Sequence, residues 1–211
     1  MTCEIIATGS TGNAVLLGGK VLVDCGVPYK KLEPYATRLK LVLLTHQHSD
    51  HFKPRTVKRL AGERPTLRWA CCPWMVQHLV AAGVKKTQID VIAPKAAKRY
   101  SESISLVQPI PIPHDVPNCG WRCDVSGERF FYATDCGSLD GVNFPGLDLY
   151  LIEANHKTAE IEQRVREKQE RGEFCYEIRA AANHLSEEQA TDWICRQVGP
   201  TSRYIFLHQH H

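Results

Sequence analysis

The chain opens on short apolar runs divided by glycine-rich turns. Residues 4–8, 14–17 and 20–23 predict strands, separated by Gly9-Ser10-Thr11-Gly12-Asn13 and by Gly18-Gly19. A polar, proline-bearing connection follows. Leu41-Val42-Leu43-Leu44 is an apolar run too short for a helix and suits a buried strand. Residues 54–60 predict a helix with proline in its first turn. Residues 73–82 repeat that pattern, with Gly83 as terminator. Strands are expected over 105–112, 121–125, 129–134 and 147–153. Residues 158–171 are strongly charged and predict an exposed helix. Ser186 and Gln189 have the spacing of a capping box for a helix running to about Val198, and 203–207 predicts a closing strand.

One pattern recurs. Val21-Leu22-Val23-Asp24-Cys25-Gly26 and Phe131-Tyr132-Ala133-Thr134-Asp135-Cys136-Gly137 are both apolar strands ending in Asp-Cys-Gly. The echo is too short to establish a duplication, but it suits a sandwich of two related halves. No low-complexity linker interrupts the chain, so residues 1–211 read as one domain.

Composition narrows the class. With 211 residues, 43% of them hydrophobic, the chain can bury a substantial core without staples. Nine cysteines would suggest a disulfide scaffold, but the number is odd and no Cys-x-x-Cys spacing occurs. The first residues also lack a basic segment followed by a long apolar stretch. The expectation is free thiols in a reducing cytoplasm. No run approaches the roughly 18 apolar residues of a membrane span. The net charge of +3 is compatible with a phosphate-bearing substrate and does not establish one.

The chemistry concentrates in Thr45-His46-Gln47-His48-Ser49-Asp50-His51, where three imidazoles and one carboxylate fall within six residues after an apolar strand. Imidazole and carboxylate are good ligands for divalent transition metals, zinc and manganese above all. In extended chain His46 and His48 point the same way, because strand side chains have a period of two. Asp50 and His51 must follow a turn and could approach a second metal. Packing gives no reason for such a cluster. Further candidates stand where apolar runs end: His114 after Ile110-Pro111-Ile112-Pro113, Asp135 after Phe131 to Thr134, and His208 after Tyr204 to Leu207. Asp135 could bridge two ions, since one carboxylate supplies two oxygens.

The H-x-H-x-D-H signature, the earlier Asp24, His114, Asp135 and a late histidine at a strand end resemble the metallo-β-lactamase superfamily, in order and over nearly the whole chain. Ser10-Thr11-Gly12-Asn13, Glu153-Ala154-Asn155 and Asn183-His184-Leu185-Ser186 resemble segments of its YycJ/WalJ-like branch, with Asn183 where that branch has glycine. The late histidine pair is similar to that of ribonuclease Z. The resemblance implies an α+β fold, a four-layer αββα sandwich with two divalent metal ions at one edge. It implies one metal on His46, His48 and His114, another on Asp50, His51 and His208, Asp135 bridging, and Asp24 supporting the histidines from behind. It further implies catalytic roles for Asp50, which would orient a hydroxide shared by the metals, and for His184, which would contact phosphate or assist the leaving group. Whether His208 or His184 completes the second metal set is open. His208 is favoured because it follows an apolar strand, whereas His184 precedes a helix cap, where a helix amino terminus suits an anion.

The function so implied is a phosphodiesterase acting on nucleic acid, like a 5′ exonuclease. Hydrolysis of a thioester, lactone or other ester is the alternative, and a non-catalytic metal-binding protein the third. Lys53, Arg55, Lys58 and Arg59 fit either a nucleic-acid backbone or a solvated helix face. Cys25 and Cys136 adjoin Asp24 and Asp135, where packing explains them better than thiol chemistry. The chain ends Leu207-His208-Gln209-His210-His211, and the interrupting Gln209 favours a native ending over a tag remnant. Nothing in the sequence identifies a protein partner.

Overall fold

The computed structural model describes residues 3–209, so His210 and His211 lie outside the described residues. The first sheet lays its strands side by side in chain order: β1 (Cys3–Ala7), β2 (Ala14–Leu17), β3 (Val21–Val23), β4 (Leu41–Leu44), β5 (Arg68–Cys71) and β6 (Ile89–Val91). The glycine-rich turns make the first two connections antiparallel hairpins. Gly18 and Gly19, at φ 55° and 68°, supply the left-handed backbone that turns β2 into β3. From β3 to β6 the strands run parallel, which requires crossovers. These are supplied by α1 (Tyr29–Ala36), α2 (Pro54–Glu63) and α3 (Val76–Ala81).

The second sheet has the order β11-β10-β9-β8-β7, built from β7 (Ile104–Ile112), β8 (Asn118–Val125), β9 (Glu128–Ala133), β10 (Leu149–Glu153) and β11 (Arg203–Leu207). The pairs β7–β8 and β8–β9 are antiparallel, whereas β9, β10 and β11 run parallel. Three helices intervene between β10 and β11: α4 (Thr158–Glu170), α5 (Tyr176–Asn183) and α6 (Glu187–Gln197).

Alternation along the strands builds the layers. Val15, Leu17, Val21, Val23, Leu41 and Leu43 face Trp121, Phe130, Tyr132, Leu149 and Leu151 across the space between the sheets. Their neighbours Leu16, Leu22, Val42 and Leu44 face outward onto Leu32, Val57, Leu60 and Leu79 of the first helical layer. On the far side, Phe131, Tyr150 and Ile152 pack with Ala190, Trp193 and Ile194 of α6. This is the αββα sandwich. Each buried Leu or Val contributes about 1.5–3 kcal/mol, so the four-residue run of β4, buried on both faces, anchors the strand that carries the histidine cluster.

Four elements were not foreseen in the sequence reading. α1 occupies the polar, proline-bearing connection: only Tyr29, Leu32 and Ala36 are buried, and Pro34 lies inside the helix. β5 and β6 are short runs broken by Arg68 and Asp90, residues that ion-pair with each other across the two strands. α5 buries Glu177 while leaving Tyr176 and Ile178 exposed, which inverts the usual amphipathic signal. The capping box of α6 forms as its spacing predicts: Ser186 Oγ accepts from Gln189 N at 3.2 Å, and Gln189 Oε1 accepts from Ser186 N at 2.9 Å.

None of the nine cysteines is disulfide-bonded. Cys25 and Cys136 are fully buried, and burial pushes both thiols far above the usual range, so they pack as neutral groups. Among the described residues, no helix is long and apolar enough to cross a membrane.

Candidate metal centre

The parallel course of β3 and β4 in one sheet, and of β9, β10 and β11 in the other, brings several carboxyl-terminal strand ends to one edge of the sandwich. Asp24 follows β3, His46 follows β4, His114 follows β7, Asp135 follows β9, Glu153 ends β10 and His208 follows β11. Three of these turn out of their strands in the left-handed region: Asp24 at φ 61°, Asp135 at φ 55° and His208 at φ 54°. That conformation is disfavoured for residues with a Cβ, and it persists where surrounding structure over-determines it. The two Asp-Cys-Gly echoes are thus also conformational echoes. In each, the glycine admits a close backbone: a Cβ on Gly26 would sit 1.6 Å from Asp50 O, and one on Gly137 would sit 2.4 Å from Ala182 O.

The side chains converge in three overlapping groups: His46 with His48 and His114; His46 with His51 and Asp135; and Asp135 with Glu153, His184 and His208. Asp135 Oδ2 contacts His51 Nε2 and lies 3.4 Å from His46 Nε2, while its Oδ1 lies 2.5 Å from His208 Nδ1 and 3.4 Å from His184 Nδ1. Asp50 Oδ2 is 3.4 Å from His51 Nε2. All the residues expected from sequence therefore meet at this edge.

Partners behind the histidines set their tautomers. Asp24 Oδ2 accepts from His51 Nδ1 at 2.7 Å, which leaves Nε2 facing inward. The Thr45 hydroxyl donates to Asp24 at 3.0 Å and lies 3.0 Å from His46 Nδ1, so it accepts there and leaves His46 Nε2 as the lone-pair nitrogen. Asn183 O accepts from His114 Nδ1 at 3.2 Å, with the same consequence for His114 Nε2.

Electrostatics follow from this crowding. Burial, reinforced by charge on His51, pushes the His46 imidazole well below its usual pKa and keeps it neutral. Burial alone would raise the Asp135 carboxyl, but charge on His51 and hydrogen bonds from His208 and His51 hold it well below the carboxylate range. Burial likewise opposes charge on His51, but Asp135 and Asp24 outweigh it and raise that imidazole well above its usual value. The donor set fits divalent metal: His46 Nε2 is buried with no hydrogen-bond partner among the described residues, aimed at a carboxylate and flanked by other imidazoles.

Two acidic residues join the site that sequence reasoning assigned no role. Glu153 is fully buried, accepts from Cys136 N at 2.9 Å and Leu185 N at 3.3 Å, and lies 2.5 Å from His184 Nδ1 and 3.2 Å from His208 Nδ1. Its position at the end of an apolar strand was the available signal. Asp115 lies 3.1 Å from His114 Nε2 and 3.4 Å from His48 Nε2, and it pairs with Arg179. Asn13 also reaches the site. Its amide is oriented by Gly9 N and Gly9 O, and its Nδ2 lies 2.8 Å from His51 Nε2.

His184 is the carboxyl-terminal cap of α5, two residues ahead of the α6 cap Ser186. Its imidazole turns to Glu153 and Asp135, so the carboxylates and not a helix amino terminus define its surroundings. Of the basic residues after the cluster, Arg59 is engaged locally, pairing with Glu63 at 2.8 Å and lying 3.9 Å over the Tyr29 ring. Arg55 and Lys58 remain exposed on the outer face of α2.

The profile of the beta-lactamase superfamily domain matches residues 20–209. The chain is 25% identical over 224 residues to the exodeoxyribonuclease WalJ of Streptococcus pneumoniae serotype 2 (strain D39 / NCTC 7466), covering 97% of this chain and 79% of that protein. Among solved structures it is similar to the short form of human tRNase Z, with a TM-score of 0.70 at 15% identity, covering 99% of this chain and 93% of the other. It is also similar to Zn(2+)-bound PqqB from Methylobacterium extorquens, with a TM-score of 0.67 at 14% identity, covering 94% and 77%. With the profile matching most of its length and the sandwich in place, the chain belongs to the beta-lactamase superfamily and is a hydrolase of the metallo-β-lactamase fold.

Proposed function

We propose that the chain is a two-metal phosphodiesterase acting on nucleic acid in the manner of a 5′ exonuclease. One observation carries the reading: Asp135 joins the His46/His51 group to the His184/His208 group, with Glu153 set directly behind His184. Similarity to an exodeoxyribonuclease over 97% of the chain supports the substrate class.

In this reading His46, His48 and His114 would hold one divalent cation and Asp50, His51 and His208 the other, with Asp135 within reach of both groups of histidines. Zinc suits the histidine-rich set, and manganese suits a nuclease of this type. Bound there, the cations would supply Lewis acidity and water activated near neutral pH. Asp50 accepts a proton and orients the attacking group. Asp24, through His51 Nδ1, and Thr45, through His46 Nδ1, hold the imidazoles in one tautomer. His184, whose charged form the hydrogen bond to Glu153 favours, donates to the leaving oxygen or to the charge developing on phosphate.

The test is turnover of metal-loaded protein on bis-p-nitrophenyl phosphate, single-stranded DNA, double-stranded DNA and a thioester. Hydrolysis of the phosphodiesters is expected. Turnover of the thioester alone would sink the proposal.

A further inference from the structure

Beside His184, between α4 and α5, lies a cavity of about 270 Å³ whose walls include Asn155, Arg164, Tyr176, Glu177, Ala180 and His184. It shares His184 with the metal centre, so a molecule seated in it is continuous with the site. Its chemistry is mixed. Glu177 is buried, with Oε1 paired to Lys168 Nζ at 2.7 Å, while Oε2 is buried and has no hydrogen-bond partner among the described residues. A buried carboxylate oxygen in that state calls for a donor. Tyr176 is 57% exposed despite lining the cavity, and Phe174, just before it, is 86% exposed. Tyr176 and Glu177 stand beside cations: Lys168 Nζ lies 4.3 Å from the Tyr176 ring centre, and Arg164 is close enough to Glu177 to stabilise its charge.

A bare anion does not suit walls that also contain Glu160 and Glu177, and an aliphatic chain does not suit polar ones. A group with a flat ring for Tyr176, N–H or O–H donors for Glu177 and a phosphate on the His184 side suits all of them. We propose that this cavity is the subsite for the nucleoside joined to the scissile phosphate. The proposal rests on the phosphodiesterase reading above for what happens at the neighbouring metals. It assigns α4 and α5, which contribute few apolar residues to the core, the work of holding the chain end beside His184.

The test is an amide NMR titration of the full, zinc-loaded chain with deoxyadenosine 5′-monophosphate, with inorganic phosphate as comparator. The nucleotide is expected to shift Ile161, Tyr176 and Ala180, and phosphate is not. Tyr176→Ala should weaken nucleotide binding about tenfold, the worth of one base–aromatic stack, with metal content retained. It should also raise KM for thymidine 5′-(p-nitrophenyl phosphate) by about tenfold with little change in kcat. Equal shifts by phosphate, nucleotide shifts confined to other residues, or wild-type affinity in Tyr176→Ala would overturn the subsite. Nucleotide binding in the cavity by a chain that turns over no phosphodiester would instead overturn the phosphodiesterase reading and leave a nucleoside site.

Discussion

Glu153 Oε1 lies 2.5 Å from His184 Nδ1, a fully buried carboxylate against a partly exposed imidazole at the edge of the metal centre. Burial opposes charge on His184, but the bond to Glu153 outweighs it and raises the imidazole above its usual pKa. The pair is therefore suited to keep a proton ready at His184. Glu153→Gln removes the charge while keeping an acceptor for Cys136 N and Leu185 N. Turnover should fall roughly 10²-fold or more, within the usual range for a general acid. His184→Ala should lose turnover with full metal content, read by elemental analysis beside kcat. Loss of one metal would instead make His184 the ligand.

Asp24 acts through His51. Its Oδ2 accepts from His51 Nδ1 at 2.7 Å, and its carboxylate also receives Thr45 N and Oγ1 at 3.0 Å. Asp24→Asn can present an N–H to His51 and so lose control of the tautomer. Metal affinity should drop about 10–100-fold, measured by competition with a chelator. An unchanged affinity would mean that His51 is not a ligand.

Gly26 holds the turn of the histidine cluster against β3. A Cβ there would fall 1.6 Å from Asp50 O and 2.7 Å from His51 N, both backbone atoms that cannot swing aside. Gly26→Ala should cost about 3 kcal/mol by overpacking, and weaken metal binding because Asp50 and His51 move together. Gly62→Ala, where a Cβ meets nothing within 4 Å, should be neutral or better in the last turn of α2. Urea unfolding of the two variants tests the contrast.

Asp90 ties β6 to its surroundings. Arg68 donates to both its oxygens, at 2.9 and 2.7 Å, and Lys98 Nζ lies 2.5 Å from Oδ1. Burial alone would raise the carboxyl, but the bonds from Arg68 and Lys98 outweigh it and hold it below the usual range. Because the folded pKa is the lower one, its contribution is complete above the unfolded value of about 3.9 and is lost as pH falls through the folded value. Asp90→Asn should cost about 1–3 kcal/mol at neutral pH. That difference from the unsubstituted chain should narrow as the pH is lowered, which urea midpoints across the acid range will show.

Much of the frame was legible because burial on both faces leaves a local mark. Leu41–Leu44 is apolar at every position since β4 is covered by a sheet on one side and helices on the other. The helix α5 left no such mark, since it turns Glu177 inward and Tyr176 outward. The same inversion hid the cavity beside His184. Glu153 escaped a role because a carboxylate at a strand end is ordinary until its neighbours are known.

Sequence alone determined the cluster from His46 to His51 and the strand-end positions of His114, Asp135 and His208, while the sandwich came from the resemblance those motifs carry. These are properties of spacing and period, which are local. Only the tertiary structure decided which atoms face one another: that Asp24 stands behind His51, that Asp135 reaches both histidine groups, and that one Glu153 oxygen serves His184 and His208. Those relations depend on strands far apart in the chain ending at one edge, and on left-handed turns at Asp24, Asp135 and His208 that those residue types permit but do not dictate.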